Sequence, residues 1–90
     1  MFVKIIKRQN AHVQKEILYE CGRVTINNKE EDITIEMEGC PVSMGKETIS
    51  VVLQKQDLSV YFMNGYGKTI DSIHFGDWKR EGKDAGPNRT

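Results

Sequence analysis

Apolar and polar side chains alternate along most of this chain, the period-two pattern of strands that bury one face. From Phe2 to Arg8, Phe2, Lys4 and Ile6 share one face and Val3, Ile5 and Lys7 the other. Both faces carry apolar residues, which predicts a strand covered on two sides or one whose second face meets another molecule. Asp32 to Glu38 alternates cleanly, with Ile33, Ile35 and Met37 inward and Thr34, Glu36 and Glu38 outward. Thr48 to Leu53 follows with Ile49, Val51 and Leu53 inward, and Leu58, Val60 and Phe62 share the next inward face.

The stretch from Ser59 to Phe75 is two apolar runs held apart by a glycine-punctuated turn. Val60, Tyr61, Phe62 and Met63 favour a pleated surface, Asn64-Gly65 is a strong hairpin signal, and Ile70, Ile73 and Phe75 supply the returning strand. Parity slips between Ile70 and Ile73, so a bulge is expected near Asp71-Ser72.

Val13 to Cys21 has two readings. As a strand it puts Val13, Ile17, Tyr19 and Cys21 on one face. As a helix from Ala11 to Cys21 it gathers Val13, Ile17, Leu18 and Cys21 into a stripe between an Asn10 N-cap and a Gly22 C-cap. The strand is preferred, because Ile17-Leu18-Tyr19 runs into Arg23-Val24-Thr25-Ile26 with only Gly22 as a break. Inward parity changes from Tyr19 and Cys21 to Val24 and Ile26, as a bulge at Cys21-Gly22 would produce by bending one long strand across a barrel corner. Gly39 to Glu47 reads as a loop, since Pro41 and two glycines do not suit a central strand.

The expected fold is all-β: a small partly open barrel or sandwich of six to seven antiparallel strands with a flexible C-terminal tail, against an α+β alternative with one helix over 11–21. Residues 1–80 make one β-rich domain. Residues 81–90, rich in glycine and charge, make the tail.

A chain of 90 residues is one domain that buries only about two-thirds of its unfolded surface, so a homodimer is the expected assembly. Thirteen Lys plus Arg balance thirteen Asp plus Glu, which argues against nucleic acid as a partner. The charges are nevertheless segregated: Lys4, Lys7, Arg8 and Lys15 precede the acidic Glu30, Glu31, Asp32, Glu36 and Glu38, and cross-strand pairing between these segments is expected. Charges within the first seven residues break any apolar leader, and no run of about 18 apolar residues offers a membrane span. A cytoplasmic setting with Cys21 and Cys40 as free thiols is the simplest expectation.

Candidate chemistry is sparse. Gly65-Tyr66-Gly67-Lys68-Thr69 ends like a phosphate-binding loop, but Phe62 stands where its first glycine belongs and a strand follows instead of a helix. Asp71, Ser72 and His74 name the residue types of a hydrolytic triad. On a strand, however, Ser72 and His74 share a face while Asp71 points the other way. Two thiols and two distant histidines, His12 and His74, fall short of a metal site, and the acidic run lacks the glycine of a calcium loop. No catalytic residue, metal or cofactor is expected, and the function expected is that of a non-enzymatic interaction module.

Its contact residues would be Tyr61, Met63, Tyr66 and Trp78, since Tyr61 and Met63 face outward if Val60 and Phe62 face the core. The partner would be a second copy or another protein. The alternative is a single-stranded nucleic-acid-binding β-barrel that uses Tyr66, Lys68, Trp78, Lys79 and Arg80 to stack bases and hold phosphates.

Overall fold

The computed structural model describes residues 1–8 and 14–76. Among them the protein is all-β, with seven strands: β1 (Phe2–Arg8), β2 (Gln14–Glu20), β3 (Arg23–Asn28), β4 (Asp32–Val42), β5 (Gly45–Gln54), β6 (Leu58–Met63) and β7 (Thr69–Phe75). They form two sheets, A in the order β2-β1-β6-β7 and B in the order β3-β4-β5. Every pairing is antiparallel.

The inward sets read from parity meet between the sheets. Val3, Ile5, Leu58, Val60 and Phe62 of sheet A are buried with Ile33, Ile35 and Met37 of sheet B in one core. Half-buried apolar residues of the flanking strands, such as Tyr19, Ile26 and Val51, close around it. The sheets are not joined into a barrel, so the sandwich is open on one side. There β3 and β7 border a groove of about 310 Å³ lined by Val24, Ile26, Phe62, Ile70 and Ile73.

Residues 14–20 are strand, not helix. The expected corner at Cys21-Gly22 exists, but as a passage from sheet A to sheet B instead of a bulge within one strand. The Cys21 amide donates to the Met1 carbonyl at 3.0 Å, and the Gly22 amide donates to the Glu38 carbonyl at 2.8 Å. Each sheet presents its own inner face to the core, which accounts for the parity change.

The segment expected to be a loop, Gly39 to Glu47, is mostly strand. β4 and β5 continue to a two-residue turn at Ser43-Met44, with Cys40 opposite Glu47 and Pro41 opposite Lys46. Pro41 is tolerated because β3 ends its pairing at Arg23 opposite Glu38, leaving that side of β4 without a ladder to interrupt. A bulge between Met37 and Cys40, with Gly39 at φ +73°, resets the register.

The second expected bulge is present beside Asp71, with Ile70 as its extra residue, since Phe62 faces Asp71 while Met63 faces Thr69. Asn64-Gly65 does not form a two-residue turn either. The Asn64 side-chain oxygen accepts from the amides of Tyr66 and Lys68, and Gly67 takes φ +84°, giving a longer loop.

The basic and acidic segments are not cross-strand partners. Lys4, Lys7, Arg8 and Lys15 belong to β1 and β2 in sheet A, and Asp32, Glu36 and Glu38 to β4 in sheet B. Among the described residues no helix is long and apolar enough to cross a membrane. The expected tail over 81–90 lies outside the described residues, as do His12, Trp78, Lys79 and Arg80.

Candidate interaction face

The sheet A registers place the outward residues of its four strands in rows. One row is Glu20, Phe2 and Met63, the next Leu18, Lys4, Tyr61 and Ser72, and the third Glu16, Ile6, Ser59 and His74. Phe2, Leu18, Ile6, Tyr61 and Met63 thus share the side of the sheet away from the core, grouped around Lys4. Leu18 is 57% exposed, and Phe2, Tyr61 and Met63 are half-buried. The grouping exists because these strands carry apolar residues in both parities, as β1 already showed in the sequence.

The third row is the most firmly packed part of this face. Ser59 is wholly buried and Ile6 nearly so. His74 is held through both ring nitrogens, Nδ1 at 2.8 Å from Ser59 Oγ and Nε2 at 3.1 Å from Ser72 Oγ. A neutral imidazole has one N–H, so it donates to one serine and accepts from the other. Tyr61 meets the histidine ring edge-on at 5.4 Å between centroids, which fixes the tyrosine above the row.

A serine hydroxyl bonded to a histidine is half of a nucleophilic pair, and the sequence reading missed Ser59 because it lies 15 residues from His74. The arrangement does not support catalysis. With Ser59 fully buried its Oγ meets no substrate, and the second ring nitrogen faces a neutral hydroxyl where a triad places a carboxylate. Asp71, as its parity required, turns away, and its carboxylate accepts from the Ser72 amide at 2.8 Å. The network instead stiffens the platform beneath Tyr61.

The remaining expected site residues divide. Tyr61 and Met63 belong to the face, and Phe2 and Leu18 join them. The signal for these two was present as apolar residues of outward parity. Tyr66 is 98% exposed at the tip of the β6–β7 loop beside exposed Lys68, away from the rows of the face. Trp78, Lys79 and Arg80 lie outside the described residues, so they are not placed with either group.

Cys21 and Cys40 are buried free thiols in the core cluster. Burial, and secondarily the neighbouring Cys40, pushes the Cys21 thiol above its ordinary range, which disfavours the thiolate needed for metal binding or nucleophilic attack. The Cys40 thiol donates to the Met37 carbonyl at 3.4 Å. No group of three or more His, Cys, Asp or Glu side chains able to hold a metal occurs among the described residues.

Comparison with known proteins finds no family model, no curated protein and no solved structure that matches the chain.

Proposed function

We propose that this protein is a non-enzymatic interaction module that self-associates and that meets another protein, the second contact being made through the outer face of sheet A. The observation that carries the reading is the row geometry: Phe2, Leu18, Tyr61 and Ile6 surround Lys4 on one outward face that continues to Met63, with Glu16 and Glu20 on the edge strand beside it. Exposed apolar and aromatic side chains gathered about a single lysine make a surface suited to a protein partner, and a tyrosine held from below gives large contact area at low entropic cost. The buried thiols of Cys21 and Cys40 support a cytoplasmic setting.

A photo-crosslinking residue in place of Tyr61 tests this, with the folded protein irradiated in an extract of its own cells. The expected result is one discrete adduct, removed by excess unmodified protein and by Met63→Asp. Diffuse labelling that neither treatment changes would overturn the reading.

A further inference from the structure

The longest edge strand among the described residues is β5, whose ten residues pair only with β4. An unpaired edge is a template for another strand, and proteins usually blunt such edges with charge, brevity or bulges. The other three edges here are blunted in those ways. β2 carries Lys15, Glu16 and Glu20, β3 has only six residues, and β7 has its bulge and Asp71. β5 has none of these from Thr48 to Leu53: Thr-Ile-Ser-Val-Val-Leu is uncharged and free of proline, and the bulge opposite Thr48 has its extra residue on β4. Val52 is 64% exposed in the middle of it.

The backbone groups of this edge point in the right direction. The Lys55 amide donates to the Glu31 carbonyl at 3.2 Å, continuing the β4–β5 register, and the two-residue turn makes Val42 and Gly45 its closing pair. Odd-numbered residues of β5 therefore turn their backbone groups toward β4. Thr48, Ser50 and Val52 aim theirs at the open edge, as does the Gln54 amide.

We propose that β5 pairs antiparallel with β5 of a second copy, in the register that sets Val51 opposite Val51. A two-fold axis through that point keeps the inner faces of both copies on one side. It places Ser50 opposite Val52 as hydrogen-bonded pairs, and Thr48 opposite Gln54, whose amide remains for the new strand while its carbonyl accepts from the Gln56 amide at 2.9 Å. On the inner face Ile49 meets Leu53, and at both ends Glu47 comes opposite Lys55, which follows β5 directly and whose ammonium lies over the Phe75 ring of its own chain at 5.5 Å. A shift of two residues, with Ser50 opposite itself, would set Glu47 against Leu53 and lose both ion pairs. The charges thus choose the partner and the register together, and the two three-stranded sheets become one six-stranded sheet.

This inference builds on the self-association in the reading above but puts it at a surface separate from sheet A. The seam is short, so association in the micromolar range is expected. Sedimentation equilibrium of the full chain should show a monomer–dimer equilibrium. Ser50→Pro removes an amide that β4 does not use and should leave a monomer. Glu47→Lys should weaken dimerisation about tenfold by turning two attractions into repulsions, and adding Lys55→Glu should restore it. If Ser50→Pro fails to fold by circular dichroism, the charge reversal and its rescue decide alone. A wild-type chain that stays monomeric at hundreds of micromolar, or a dimer that ignores the charge reversal and its swap, would overturn the proposal. Neither result bears on the crosslink at position 61.

Discussion

Cys21 shows how one position can be legible in type and still depend on its neighbours for its chemistry. The sequence marks it as an inward residue, and it follows the end of β2 directly. Only the fold brings Cys40 near it and seals both in the core, where burial and then the second thiol raise its pKa. A group whose pKa is higher in the folded state stabilises the fold fully below its unfolded pKa, and that contribution is lost as pH rises through the folded value. Stability should therefore decline on the alkaline side of the ordinary thiol range. Cys21→Ala should flatten that decline, even though the cavity it leaves lowers stability at every pH. Urea midpoints measured from neutral to alkaline pH check this, and parallel curves for the two proteins would refute it. Gly76 is a position of the opposite kind. It takes φ +80° where β7 ends, and any Cβ there would run into the Asp57 amide nitrogen, a constraint that composition does not reveal.

Among the elements, pairing partners decide what a charge does. Lys7 and Lys15, read from the sequence as half of a basic segment facing an acidic one, sit directly opposite each other in β1 and β2. Like charges so placed repel, and Lys15→Glu should stabilise the protein by about 0.5–1 kcal/mol at low salt, with the gain shrinking at 1 M salt. Thermal unfolding at both ionic strengths measures it, and a salt-independent effect would show that the two side chains do not interact. Turn chemistry was equally hard to read. Asn64 and Gly39 were visible as turn or loop residues, but one organises a longer loop through its side chain and the other kinks a strand that continues. Both uses fit the same residue preferences, and only the partner strand selects between them.

At the scale of the molecule, stability and folding speed follow from joining distant segments. β1 bonds to β6, so pairs such as Phe2 with Met63 close nearly the whole described chain. Non-local pairing of this kind makes folding slow, in the millisecond to second range. Ile35 is fully buried between Ile26 and Val51 in sheet B, and Ile35→Ala should cost about 2–4 kcal/mol, a large share of the stability of so small a domain. Stopped-flow refolding tests both statements. Microsecond folding, or a loss below about 1 kcal/mol, would mean that the two sheets do not share one packed core.

The sequence by itself determined that the chain is made of strands, which side chains face inward, and that Tyr61 and Met63 face out. These follow from the pleat, a property of each strand alone. What only the tertiary structure decided is which strands are neighbours. That choice gathered Phe2, Leu18, Tyr61 and Met63 into one face, set Ser59 against His74, separated the charged segments and left β5 as the unprotected edge. Neighbour choice depends on contacts between residues far apart in the chain, and a local period of two carries no record of them.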